Sequence, residues 1–248
     1  MGKVLLVTGG SRGIGAACCR LGAREGYDVA VNYKGGKDKA EAVRAEVESS
    51  GRRALAVRAD VTDEAAVERM LDEVEAGLGP VDAFVSNAGI IHASRPLMDM
   101  NPAEIRKVIE VDLTAHILCN RAVVRRMARS KGGRGGAIVN LSSMAASLYG
   151  AGGFVPYGAA KGGIDVLTMG LGREAAGDGI RVNGLRPGLI DTDMQNDTGV
   201  ERRMERFGPG VPIGRGGTAE EVAECVLWLL SDKASYVTGT LFDVSGGR

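Results

Sequence analysis

The sequence has no run of five or more like charges, no apolar stretch of membrane-spanning length, and no metal-type spacing of cysteine or histidine. Each absence removes a class of function. Lys plus Arg and Asp plus Glu both total 31, and with neither sign clustered there is no basic stripe for a nucleic acid and no polybasic segment for a membrane. A small soluble substrate is the expected partner. The opening Met1-Gly2-Lys3-Val4-Leu5-Leu6-Val7 holds too short an apolar stretch for a secretory signal, and Leu6 stands where a myristoylation signal wants Ser or Thr. Cys18, Cys19, Cys119 and Cys225 show no ligand spacing, and His92 and His116 are far in sequence from any paired ligand, so no metal site is expected. The thiols read as reduced, packed side chains of a cytoplasmic protein. Asn140-Leu141-Ser142 and Asn196-Asp197-Thr198 match the glycosylation pattern, which carries no weight without a secretory route.

What is present is enough apolar material, 44% of 248 residues, for one large core, and the expectation is a single domain over residues 1–248. Short runs rich in Val, Ile and Leu recur between longer segments with apolar spacing of three and four. That alternation belongs to the α/β class, a parallel sheet covered by helices. The spacing predicts strands at 3–8, 28–33, 53–58, 82–86, 136–142, 180–185 and 240–243, and helices near 13–25, 38–50, 63–77, 102–130, 156–176 and 218–231.

The first strand runs into Thr8-Gly9-Gly10-Ser11-Arg12-Gly13-Ile14-Gly15, and a helix follows. Glycines at such a turn let the backbone approach a pyrophosphate, whose charge the free amides of a helix start can stabilise. Asp60-Val61 closes the third strand and Asn87-Ala88-Gly89 the fourth. In a doubly wound sheet these carboxyl ends line the ligand crevice, where Asp60 could accept from an adenine amine and Ala88-Gly89 leave room for a cofactor. Taken alone, Asp60 reads more readily as a helix cap and Asn87 as a turn residue. The most informative pattern is Tyr157-Gly-Ala-Ala-Lys161, preceded by Ser142-Ser143 at the end of the fifth strand. Residues four apart share a helix face, so the Lys161 ammonium can lie near the Tyr157 phenol, lower its pKa and make it a usable proton donor and acceptor. A seryl hydroxyl nearby could hold a substrate oxygen.

From Thr8 to Gly246-Gly247-Arg248 the chain resembles the short-chain dehydrogenases/reductases. The resemblance rests on the Thr8–Gly15 turn, Asp60, Asn87-Ala88-Gly89, the Ser, Tyr and Lys set, and Arg186-Pro187-Gly188 with Thr192. Through Ser142-Ser143-Met144-Ala145-Ala146 and Ile213-Gly214-Arg215-Gly216-Gly217 it is also similar to a bacterial subgroup of sugar dehydrogenase-like and 3-oxoacyl-acyl-carrier-protein reductase-like oxidoreductases. The resemblance implies a Rossmann-like, doubly wound domain with a seven-stranded parallel sheet of order 3-2-1-4-5-6-7 and helices on both faces. It implies Tyr157 as general acid/base, Lys161 as its modulator and a ribose ligand, and Ser143 as the group on the reacting oxygen, with Ser142 as the alternative. Gly9, Ser11, Arg12, Gly13, Ile14, Gly15, Asn32, Tyr33, Lys34, Asp60, Val61, Asn87, Ala88 and Gly89 would hold the cofactor. So would Pro187, Gly188, Ile190 and Thr192, which lie toward the nicotinamide. A homotetramer is expected, with interfaces from Phe154–Gly177 and Thr218–Arg248.

Two departures stand out. Ser143 and Tyr157 are fourteen positions apart rather than the family's thirteen, which places one extra residue in the Ala145–Pro156 loop. Asp112 occupies the position of the family's fourth catalytic residue, an Asn on the long helix. The second strand ends Asn32-Tyr33-Lys34 without a carboxylate, and Arg12 sits in the glycine turn, so NADP(H) is expected over NAD(H). The segments Ile91–Met98, Ala145–Val155 and Leu189–Phe207 should form the substrate pocket. Three functions fit at this point: an NADP-dependent carbonyl reductase or alcohol dehydrogenase, a sugar or polyol dehydrogenase or 3-oxoacyl reductase, and a non-catalytic nucleotide-binding protein of the same fold.

Overall fold

A computed structural model describes residues 2–248. Seven strands pair in parallel in the order β3-β2-β1-β4-β5-β6-β7, with β1 Val4–Val7, β2 Asp28–Tyr33, β3 Ala54–Arg58, β4 Val81–Ser86, β5 Gly136–Leu141, β6 Ile180–Pro187 and β7 Leu241–Val244. This is the expected order. All seven strands fall where the apolar runs place them, to within two residues at either end.

Parallel strands buried on both faces read as continuous apolar runs, and β1 shows what that requires. Its side chains alternate between two cores. Leu5 and Val7 pack with α1 (Gly13–Arg24), α2 (Lys37–Ser49) and α9 (Ala219–Leu230). Val4 and Leu6 pack on the other face with α3 (Glu64–Gly77), α5 (Ala115–Met127) and the end of α7 (Val155–Glu174). Local chemistry sets the helix starts. The Asp63 side chain accepts from the amides of Ala65 and Ala66 to cap α3, and Thr218 and Glu221 form a reciprocal capping box on α9. Asp60 therefore does not cap a helix; its carboxylate accepts from Thr62 two residues on.

The expected helix over 102–130 is interrupted. It runs as α4 (Pro102–Ile109), widens into one π turn over Glu110–Thr114, and resumes as α5. Such a turn inserts one residue into the helical ladder and redirects the side chains within it. Here it turns Asp112, fully buried, toward the carboxyl end of β4. Two short helices, α6 (Met144–Ser147) and α8 (Arg203–Phe207), were not expected from the pattern. Because β1 pairs β2 on one side and β4 on the other, the crossovers reverse direction there and leave a crevice above the carboxyl ends of the strands. Among the described residues no helix is long and apolar enough to cross a membrane.

Candidate active site

The glycine turn is held from below by side chains. Asn87 donates to the carbonyls of Thr8 and Gly9 at 2.9 and 3.2 Å, while the Thr8 hydroxyl accepts from the amides of Asn87 and Ala88 at 2.9 and 3.2 Å. The backbone takes positive φ at Gly9 and Gly13, +63° and +50°. A side chain at Gly15 would lie 2.4 Å from the Gly9 carbonyl oxygen, so only glycine permits this closeness of turn and helix. Ser11 and Arg12 lie at the rim, and Arg12 is exposed with no acidic partner among the described residues.

Three residues expected to face a cofactor are committed elsewhere. Asn32 is buried; its oxygen accepts from the Gly9 amide at 3.3 Å and its amide donates to the Ala59 carbonyl at 3.2 Å, so it braces the turn. Tyr33 is packed into the apolar core. Lys34 is exposed but paired with Asp60 at 2.6 Å. Although burial works against it, that pairing with Thr62 holds the Asp60 carboxyl below its ordinary pKa. Val61 is buried beside Asp60.

Beyond β5 the chain folds back so that Ser143, which accepts from the Ala145 amide at 3.1 Å and starts α6, lies on the same crevice as Tyr157 and Lys161 of α7. Ser142 turns inward and donates to the Lys161 carbonyl at 3.0 Å, so its hydroxyl is occupied. The longer connection to α7 is accommodated by left-handed backbone at Tyr149 and Gly150 (φ +60° and +64°), with the Tyr149 side chain in solvent. Gly150 is then near enough to Gly158 that a side chain at Gly158 would meet its nitrogen at 2.6 Å.

Lys161 and Asp112 are both buried, with Nζ 3.9 Å from Oδ1. Lys161 donates to the Leu141 carbonyl at 2.9 Å, and Asp112 Oδ1 accepts from the Ile90 amide at 3.0 Å; Oδ2 has no partner among the described residues. Burial raises the Asp112 pKa to about 6 against the opposing pull of Lys161 and the Ile90 amide. Burial also lowers the Lys161 pKa, which Asp112 partly restores. For Tyr157 the direction differs from the expectation drawn from spacing. Burial pushes the phenol well above its ordinary value, the Asp112 charge adds to the rise, and the Ser143 hydroxyl works the other way. The Lys161 ammonium lies 5.7 Å from the ring centroid and is directed at Leu141, so dehydration prevails over charge in setting the phenol.

Sequence spacing gave no sign of His116 in this corner. It is buried, bridges the Ala88 carbonyl (2.7 Å) and the Ser86 hydroxyl (2.9 Å), and is kept neutral by burial and the nearby ammonium, with its pKa lowered to about 3. Gly89 fits between these groups because a side chain there would meet Asp112 Oδ1 at 2.6 Å. Ile14, Asn87, Gly89, Pro187, Gly188, Ile190 and Thr192 all border the crevice. Of the segment Ile91–Met98 only Ile91 does, and Arg248, outside all three expected pocket segments, contributes a charge at its edge.

Residues 9–248 match a family model described as enoyl-(acyl carrier protein) reductase. The uncharacterized oxidoreductase YgfF of Escherichia coli is 46% identical over 245 residues, covering 99% of each chain. The 3-oxoacyl-[acyl-carrier-protein] reductase FabG of Staphylococcus epidermidis is 41% identical over 250 residues, covering 100% of this chain and 99% of its own. The crystal structure of a 3-ketoacyl-(acyl-carrier-protein) reductase from Brucella melitensis, complexed with NADH, superposes with a TM-score of 0.91 at 30% identity over 99% of this chain and 98% of that one. A seven-stranded parallel sheet of this order, a glycine turn at its switch point and end-to-end similarity to these reductases lead to one conclusion: the chain belongs to the short-chain dehydrogenase/reductase family of oxidoreductases, which bind a nicotinamide cofactor.

Proposed function

We propose that this protein is an NADP(H)-dependent carbonyl reductase or alcohol dehydrogenase in which Tyr157 exchanges the proton and Ser143 holds the reacting oxygen. The carrying observation is that Ser143, Tyr157 and Lys161 open into the same crevice as Asn87, Gly188 and Thr192 above the switch point. The residues fit a dinucleotide: the turn at Gly9, Gly13 and Gly15 leaves no room for side chains, and the start of α1 offers free amides. The bound nicotinamide would supply or accept the hydride at the carbonyl carbon.

In reduction, the hydride forms the new C–H bond, the C=O π electrons move to oxygen, and Tyr157 delivers its proton there, giving an alcohol. The raised phenol pKa keeps that proton in place until the oxygen becomes basic. Ser143, oriented by the Ala145 amide, fixes the oxygen. Lys161, locked by Leu141, presents its positive charge beside the phenol as the phenolate forms, and would bond the ribose. Asp112 acts through Lys161, without bordering the crevice itself, and is a positioning residue.

Leu148, Phe154 and Met194 line the substrate side of the crevice. These apolar side chains favour a ketone or secondary alcohol over a sugar, whose many hydroxyls need matching polar groups. The exposed Val166 and Met169 on α7, with Trp228 on α9 and the fully exposed Tyr236, support tetramer interfaces through Phe154–Gly177 and Thr218–Arg248. The four unpaired cysteines support a reducing, cytoplasmic setting.

Turnover of NADPH with activated ketones tests the reaction. Tyr157→Phe should retain cofactor affinity and lose roughly a hundredfold or more in kcat; unchanged kcat refutes the assignment. The cofactor preference rests on Arg12, because Lys34 is already paired. Arg12→Ala should raise KM for NADPH at least about tenfold while hardly changing KM for NADH, and equal losses with both would overturn the preference. Light scattering at micromolar concentration should give the mass of four chains, and a monomer would contradict the proposed interfaces.

A further inference from the structure

The substrate side of the crevice carries an arginine that no acidic group among the described residues neutralises. Arg203 opens α8, directly after Arg202, whose φ of +50° lies in the left-handed region that residues other than glycine rarely adopt. Its guanidinium sits 5.2 Å from the Phe154 ring centroid and 5.3 Å from that of Phe207. Its Nε is buried without a hydrogen-bond partner, and no carboxylate lies within ion-pair distance among the described residues. Its neighbour Arg202 is paired with Glu205, as Arg186 is with Asp165 and Asp243, and Arg215 with Glu221. Burial lowers the Arg203 pKa, and Arg248, a second cation on the same crevice, lowers it further.

A half-desolvated guanidinium beside another positive charge is unfavourable unless an anion joins them. Contact with two aromatic rings holds the guanidinium in place, and a guanidinium is the side-chain cation that suits a carboxylate held by two parallel hydrogen bonds. Phe154, one of those two rings, stands just before the start of α7, three residues before Tyr157, and packs in the same apolar cluster with it. The arginine edge and the phenol therefore belong to one continuous wall. Resting on the hydride-transfer reading above, we propose that the substrate is a carbonyl compound or secondary alcohol that carries a carboxylate, with Arg203 as the residue that selects the anion and Arg248 adding positive potential.

The test compares levulinate with its uncharged counterpart levulinamide, as substrates of the holoenzyme with NADPH, in the wild type, Arg203→Gln and Arg203→Lys. The ratio of their kcat/KM values should favour levulinate by roughly tenfold or more, the range of a charge-assisted hydrogen bond. The ratio should fall toward one in Arg203→Gln, keep part of its value in Arg203→Lys, and shrink as salt rises. A wild-type ratio near one, or a ratio unaltered by Arg203→Gln, overturns the proposal. So does a variant that loses NADPH affinity with its ratio intact, because Arg203 would then serve the cofactor's phosphates. Calorimetry of pentanoate against pentanamide binding to the protein–NADP+ complex separates the two readings. If neither ketone turns over, hydride transfer fails, yet preferential binding of pentanoate that disappears in Arg203→Gln still supports the anion site, and equal binding removes it.

Discussion

The site is organised by one electrostatic constraint: Lys161 is buried and must be satisfied where it stands. Its ammonium draws on three elements at once, the Leu141 carbonyl at the end of β5, the Asp112 carboxylate in the π turn, and α7 itself. Asp112 reaches it because the helix widens over Glu110–Thr114, and Gly89 must lack a side chain because Asp112 Oδ1 occupies the space beside it. His116 stays neutral in this corner, leaving Lys161 and Asp112 as the opposed charges around Tyr157. Removing either partner of such a pair leaves the other desolvated and uncompensated, so the arrangement fixes the relative positions of β4, β5 and α7.

The second constraint is steric and lies at the other end of the crevice. Asn32 and Asn87 hold the glycine turn from two neighbouring strands, which keeps the start of α1 fixed above β1. Asn32 is an interior brace and Asn87 borders the crevice, which leaves Arg12 as the exposed charge at the rim of the turn. A rigid turn on one side and a buried charge pair on the other leave Phe154, Arg203 and their neighbours to determine what enters between them.

Much of this was legible in the residues. Strands buried on both faces appear as unbroken Val, Ile and Leu runs, so all seven were found, and the Tyr157 and Lys161 spacing fixed a shared helix face. Spacing does not report dehydration, however, which is why the phenol was expected to fall in pKa and instead rises. The π turn was hidden because neither Pro nor Gly marks Glu110–Thr114 and apolar residues continue through it. Helices as short as α6 and α8 span little more than one turn and show no period. Asn32 and Tyr33 end a strand whose side chains are enclosed on both faces, which the local sequence does not distinguish from a rim position. Arg203 looks no different from Arg202 until the fold pairs Arg202 with Glu205 and sets Arg203 on the crevice.

Burial holds the Tyr157 phenol above its ordinary pKa, and the buried Asp112 charge adds to that rise. Above its pKa of about 6 Asp112 is negative and opposes phenolate formation; replacing it by the nearly isosteric Asn removes that opposition and also weakens the hold on the Lys161 proton. Without Asp112 the phenol ionises at lower pH and the lysine gives up its proton at lower pH, so both limbs of the activity profile move down the pH scale. The pH dependence of alcohol oxidation by Asp112→Asn, measured beside the wild type, is therefore the most direct measurement. The account predicts an optimum displaced to lower pH with kcat changed by less than about tenfold, roughly 1.4 kcal/mol of barrier. An unmoved optimum, or a gain of a hundredfold or more across the whole range, would contradict it.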